Sequence, residues 1–326
     1  KVLSRRGTAK VIHLLGTYST SYAINLGDHN VTRYVTFLSE ETNPPLADFT
    51  NTSLTTGIRQ LNVSGLKLSG TIHIDAQGQQ FRLNLTRVQA TSGRTVVNVT
   101  DCRQLTVLVD KSDFIDSMLA FSSVGTTSAT FVQSTFRGTT PRNATSAGIA
   151  VAFPKRGGKH LVRLHRCLFE NLQQAFDSDV PTAAFSLLAA KEKTKVKLFV
   201  ADSSFRNNSR AIDLSLRGDV FVSVTGSDFI GNVADGSGGA VRATATLSKG
   251  FGSLAVLERA VVNVLNCTFT ENNAVTSELF DENNVYFQCR RRLIASGSSP
   301  SATRTSPATG RPCAAGPSSS TPTSAR

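Results

Sequence analysis

The side chains best able to do chemistry in this chain are scattered carboxylates, a few imidazoles and thiols, and two runs of cations. The carboxylates are Asp110, Asp113, Asp116, Asp177, Asp179, Asp202, Asp213 and Asp228. Acid–base cleavage of a sugar polymer needs two of them held together on one outer face, or one beside a metal and a base. Asp113 and Asp228 fall at the same place in a repeating pattern. The other copies place Thr135, Leu168, Ser204 and Thr268 there, so no column of carboxylates forms. Asp177 and Asp179 flank one serine near Pro181; an enzyme reading would rest on that pair, and a polar loop is the alternative. The five histidines are His13, His29, His73, His160 and His165, and none has a Ser or Cys nucleophile context. The residues therefore point away from catalysis, and no cofactor or metal is expected.

The cations are more organised. Lys155, Arg156, Lys159, His160, Arg163, His165 and Arg166 form one cluster; Lys191, Lys193, Lys195 and Lys197 form another. Period-two alternation points Arg163, His165, Lys195 and Lys197 outward, opposite Val162, Leu164, Val196 and Leu198. Two such strands side by side would make a basic face for sulfated glycans, glycosaminoglycans above all, or for anionic lipid headgroups. The competing reading is a solvated face that keeps the strands soluble. Nucleic acid is not expected, because no basic motif with interleaved aromatics appears.

Modification chemistry is also written into the chain. Eight Asn-X-Ser/Thr sequons occur, at Asn30, Asn51, Asn62, Asn84, Asn98, Asn143, Asn207 and Asn266. Chance would give roughly four by the sequon definition, so the excess points to an extracellular or cell-surface location. Five cysteines, Cys102, Cys167, Cys267, Cys289 and Cys313, show no CxxC pair and no metal spacing. Cys167 and Cys267 hold equivalent places three repeats apart, about 14 Å by strand spacing. That exceeds disulfide reach, so both are expected as buried, unbridged thiols. Cys102 and Cys289 could join partners outside the chain.

The elements that must position these residues come from one repeat. Val107/Val109/Ser112/Phe114 recurs as Ala129/Phe131/Ser134/Phe136, Val162/Leu164/Cys167/Phe169, Leu198/Val200/Ser203/Phe205, Val222/Val224/Ser227/Phe229 and Val262/Val264/Cys267/Phe269. The apolar pair spaced by two is a strand showing one face to a core. The three-residue step to Ser or Cys breaks that alternation and predicts a bend. Successive Phe positions lie 22, 33, 36, 24 and 40 residues apart. The short steps suit one coil of a parallel β-helix, and the longer ones read as coils carrying inserted loops. One coil cannot bury its own apolar face; stacked coils can. The expectation is a ladder of Phe, a neighbouring ladder of Ser and Cys, and layers of Val and Leu, loosest at Ala129. Asn171, Asn207, Asn208, Asn232, Asn272 and Asn273 follow the Phe positions and read as turn formers, or as an Asn stack along one edge. Asp235-Gly-Ser-Gly-Gly-Ala-Val241 lacks a phosphate-loop frame and reads as a sharp corner.

The remaining chain sets the boundaries. Residues 1–100 fit the repeat less tightly; Leu61–Leu66, Thr71–Asp75, Phe81–Val88 and Thr95–Val99 read as strands, and Asn43-Pro-Pro45 and the Asn51 region as loop. This third is taken as earlier coils or a lateral entry, followed by the β-helix proper over 101–289. Residues 290–326 lose apolar periodicity and become rich in Ser, Thr, Pro and Arg, a composition that reads as disordered. A mucin-like linker and a break in the reading frame are both compatible with that shift. The six Arg of this tail carry half of the formal net charge of +12. No run of eighteen apolar residues occurs, so no membrane span is expected.

Cys167-Leu-Phe-Glu-Asn171, Ser203-Ser-Phe-Arg-Asn-Asn208, Ser227-Asp-Phe-Ile-Gly-Asn232 and Cys267-Thr-Phe-Thr-Glu-Asn272 resemble the right-handed parallel β-helix repeat superfamily. The Gly238-Gly-Ala-Val241 corner is similar to that of the same superfamily. With Ser209-Arg-Ala-Ile-Asp-Leu214 and the dense sequons, residues 105–275 most resemble the bark beetle (Anakonda)-like surface proteins of epithelial junctions. The pectinase-like set of Asn-Thr-Asp, Asp-Asp and Gly-His-Gly is missing, and the resemblance carries no site residues over. It implies an all-β, right-handed, single-stranded parallel β-helix of about ten coils. It also implies a non-catalytic extracellular module for cell adhesion or septate and tricellular junction assembly, attached to a membrane by analogy. Its partners would be other cell-surface proteins or further copies of itself. The alternatives are a polysaccharide lyase or hydrolase, and a glycosaminoglycan-binding module.

Overall fold

The computed structural model describes residues 9–14, 22–23, 34–40, 43–55, 58–91, 95–139, 148–155, 157–172, 183–189, 194–234, 238–246, 260–274, 285–289, 293–294 and 312–313. Among them there is no helix; the protein is all-β, with one sheet of 27 strands, parallel except where Val285–Cys289 meets Pro312–Cys313, and a second sheet of two strands. Pairing is between successive repeats, in a pattern consistent with a β-solenoid.

Three faces recur. On the first, Tyr34–Leu38, Gln60–Ser64, Gln80–Thr86, Thr95–Asp110, Met118–Val132, Lys159–His165, Lys195–Ala201, Asp219–Thr225 and Ala260–Leu265 pair in that order, all parallel. The second is built of three-residue strands, from Gln89–Thr91 and Asp113–Ile115 to Asp228–Ile230 and Thr268–Thr270. The third carries Ile149–Phe153, Phe185–Ala189, Ile212–Arg217, Val241–Thr246 and Val285–Cys289. Alternation then settles what lies inside, and like residues stack on like. On the first face the inward column runs Val35, Leu61, Leu83, Val107, Ala129, Val162, Leu198, Val222, Val262, each buried. Ala129 is as buried as its neighbours, at 1 % exposure.

The repeat's Phe residues form the expected ladder. Phe114, Phe136, Phe169, Phe205, Phe229 and Phe269 stack face to face with centroids 4.7–5.0 Å apart. That spacing is the strand spacing itself, so each ring sits directly over the next. Beside it runs a ladder of hydroxyls. The Ser112, Ser134, Ser203 and Ser227 hydroxyls each donate to the carbonyl two residues earlier, at 2.8–2.9 Å. Ser112, Ser134, Ser203 and Ser227 accept in turn from the amides of Val88, Ser112, Cys167 and Ser203, one repeat before. Cys167 and Cys267 occupy the same column as free thiols; Cys167 is buried as expected, which pushes its thiol up to about 11, whereas Cys267 is only half-buried.

A third ladder is made of Asn. Asn208 and Asn232 are buried, and each side-chain amide donates to a Phe carbonyl of the previous repeat while its carbonyl accepts a backbone N–H. Asn232 Nδ2 also donates to Asn272 Oδ1 at 2.8 Å. These residues are therefore an interior edge stack. The turn-forming role falls to their neighbours: Asn171 and Asn207 adopt left-handed backbone, with φ of 56° and 53°. A second left-handed turn precedes every Ser or Cys, at Lys111, Gln133, Arg166, Asp202 and Asn266 among others. It is this turn that makes the three-residue step seen in the sequence. Gly239 marks a further corner, where any Cβ would run into the backbone of Asn232 and Asn273.

In the amino-terminal third the expected strands are present as Gln60–Ser64, Lys67–Asp75, Gln80–Thr86 and the start of Thr95–Asp110, all in the main sheet. The Asn51 region is a correction, since Leu46–Thr55 is a strand that pairs with Lys67–Asp75. Thr52, Ser53, Leu54 and Thr55 supply its ladder partners, and Thr and Leu suit a strand. Of residues 290–326, only Leu293–Ile294 and Pro312–Cys313 are described.

Candidate binding face

Among the described residues the acids do not assemble. Asp113 is tied to Arg137 one repeat on, at 3.3 Å, and Asp116 accepts from the Thr139 amide at 2.8 Å. Asp213 lies on the third face, nearly buried, gripped by Arg242 through two bonds of 2.9 and 2.6 Å and by Arg210 at 3.3 Å. A carboxylate held this way by two guanidinium groups is a structural pin. Asp177 and Asp179 lie outside the described residues. Among the described residues no three His, Cys, Asp or Glu come together to hold a metal. A shallow cleft of about 240 Å³ brings Glu40 and Asp113 near Arg87 and Lys111, but Asp113 is already engaged by Arg137.

The cations do assemble, on the outer side of the first face. Register places Lys159 beside Lys195, Leu161 beside Lys197, Arg163 beside Phe199 and His165 beside Ala201. The next strand continues with Asp219 beside Lys195 and Phe221 beside Lys197. Lys159, Arg163, Lys195 and Lys197 are all exposed, as alternation requires with Val162, Leu164, Val196 and Leu198 inside. Lys195 reaches Asp219 at 3.7 Å and His165 reaches Asp202 at 3.8 Å. Lys159, Arg163 and Lys197 have no acid partner among the described residues. Half-buried Phe199 and Phe221 meet between these cations with their rings tilted at 48° and centroids 5.7 Å apart. Sequence reading pointed Arg163, His165, Lys195 and Lys197 outward and missed the two rings, because Phe at outward positions carries no periodic mark of its own. Lys191 and Lys193 lie outside the described residues.

His160 is the correction within this cluster. Counted with the cations in the sequence, it points inward, where the register stacks it between Thr127 and Val196. Its ring lies flat on Phe153, 3.6 Å between centroids, with Nδ1 3.2 Å from the Thr127 hydroxyl. Nε2 is buried without a hydrogen-bond partner. Burial holds its pKa down at about 4, so it adds nothing to the basic face.

The sequons separate by environment. Asn207 and Asn266 are exposed on left-handed turns, and Asn98 is half-buried. Asn62 and Asn84 form an outward ladder, in which Asn84 Nδ2 donates to Asn62 Oδ1 at 2.8 Å and Asn62 Nδ2 to Thr36 Oγ1 at 3.0 Å. A glycan on either would have to share its nitrogen with that ladder. Asn30 and Asn143 lie outside the described residues, as does the side chain of Asn51. Cys102 is buried, its thiol 3.1 Å from the Gln104 carbonyl, which removes it as a bridge to an outside partner.

No family model, curated protein or solved structure matches this chain. No helix among the described residues is long and apolar enough to cross a membrane.

Proposed function

We propose that this chain is a non-catalytic extracellular module for cell adhesion or junction assembly, in which a β-helix serves as a stiff spacer and its outer faces make the contacts. We further propose that the helix is right-handed and single-stranded, with about ten coils, which at strand spacing gives a rod about 50 Å long. The observation that carries the reading is the division of labour in the later rungs: ladders of Phe, Ser and Asn fill the inside, while Lys159, Arg163 and Lys197 stand on the outer side of the first face without a described acid partner. Attachment to a membrane, and partners that are other surface proteins or further copies, rest on the resemblance to bark beetle-like junction proteins. The sequons at exposed Asn207 and Asn266 fit an extracellular surface.

The test is direct. Beads coated with the protein should adhere to epithelial cells or to one another, and uncoated beads should not. Secretion-competent cells should attach glycans at Asn207 and Asn266, read by peptide mapping. Small-angle scattering should give an elongated particle. Bead adhesion at background would remove the adhesion reading, and a compact sphere would remove the rod.

A further inference from the structure

We propose that Lys159, Arg163, Lys195 and Lys197, set around Phe199 and Phe221, bind a linear sulfated or carboxylated polysaccharide laid along the strands. This rests on the module reading above and names the ligand of that same face.

Three features favour it. Lys159 and Lys195 are direct cross-strand neighbours, and like charges so placed are destabilising. Only Lys195 has a described acid to offset this. Lys159 thus faces a like charge with no described acid of its own, and Arg163 and Lys197 add two more cations without a described acid on the same pair of strands, an arrangement that an anionic ligand would offset. The spacing also selects the ligand. Lys159 and Arg163 are four residues apart on one strand, about 13 Å, and the two strands are about 5 Å apart. A single anion or a monosaccharide cannot touch both ends, whereas an oligosaccharide with several anionic groups can. The apolar floor fits the same ligand. Phe199 and Phe221 stand in register with Arg163 and Lys197, so a sugar ring can lay its C–H face on a phenyl while its sulfate or carboxylate meets the adjacent cation. Half-buried rings of this kind do not protrude as the apolar wedges of a membrane-binding surface do.

The experiment titrates a size-defined heparin hexasaccharide into the full chain at physiological salt. Wild type should bind. Arg163→Glu/Lys197→Glu should weaken binding at least tenfold, and Phe199→Ser, which leaves the charge untouched, several-fold. Arg87→Glu/Lys111→Glu, the same charge change at a distant corner, should stay within twofold. Unchanged urea midpoints keep the comparison to folded protein, and Arg163→Gln/Lys197→Gln replaces the double Glu variant if its midpoint falls. Absence of binding by wild type, equal loss in both double variants, or binding to phosphatidylserine vesicles in place of the hexasaccharide would overturn the proposal. Beads that still adhere fully to cells stripped of sulfated glycans would remove the ligand and leave the module; beads that adhere to no cells would remove the module.

Discussion

The rungs between Val107 and Phe269 and those between Tyr34 and Gln104 share one sheet and one register, yet they are held by different means. The later rungs carry three ladders: stacked Phe, Ser hydroxyls threaded from rung to rung, and an interior Asn edge. The earlier rungs put Leu68 and Ala90 in the Phe column and Leu66 and Val88 in the hydroxyl column, and their amide ladder, Asn62 on Asn84, lies outside. Branched aliphatic side chains suffice to build the stack. The ladders add a directional component, because a ring over a ring or an amide over an amide fixes where the next rung must sit.

Breaking one rung in each region measures that difference. Phe205→Ala removes a ring stacked on both sides and should cost about 4 kcal/mol, against about 3 for Leu83→Ala in the earlier region. Urea unfolding followed by circular dichroism gives both, and equal losses would mean the stacking itself adds nothing. Next comes acid. The folded pKa of His160, about 4, lies below its ordinary 6.5, so the unfolded chain takes up the proton first. His160 thus costs nothing above pH 6.5 and destabilises progressively as pH falls towards 4, by up to about 3 kcal/mol. His160→Leu should flatten that part of the stability profile; an unchanged slope would mean the proton is taken up elsewhere. Third, Asn232→Ala should cost about 2 kcal/mol, because it orphans the Asn208 amide and the Phe205 carbonyl. Asn62→Ala, which opens the outer ladder to water, should cost less than about 1. Smallest is Cys167→Ser, expected within about 1 kcal/mol of wild type, since the hydroxyl fits a column already built of serines. A large loss there would show that the thiol packs as an apolar group rather than as a rung of the hydroxyl ladder.

Much of this was readable in the sequence where a residue type marks a column. Phe at a fixed offset after Ser or Cys predicted the stack that is found, and the broken alternation predicted the bend now seen at Lys111, Gln133 and Arg166. The amino-terminal rungs gave strands but no column, since Val, Leu and Ile at alternating positions look alike in any register. His160 was counted with the cations by residue type alone, although it shares the parity of Val162 and Leu164 and so the alternation already pointed it inward. The basic face was legible through Arg163, His165, Lys195 and Lys197. Lys159 as the direct partner of Lys195, and the Phe199–Phe221 floor, needed the register, which sequence spacing across a loop of unknown path cannot supply.

The bonds that join rungs also set how the chain can find its structure. Ser112 bonds a residue 22 positions away, Cys167 one 36 away and Asn232 one 40 away. These separations follow the loops inserted in each repeat and do not grow steadily along the chain, since Ser203, lying between, bonds a residue only 24 positions away. Each new rung therefore closes a segment of similar size, and the entropy of closing forty residues exceeds that of closing twenty-two by only about 0.5 kcal/mol. Assembly then resembles a zipper: a first pair of rungs forms slowly and the rest add in succession, at a rate indifferent to how many are still to come. Insertions between strands cost little, whereas one faulty rung halts the zipper where it lies.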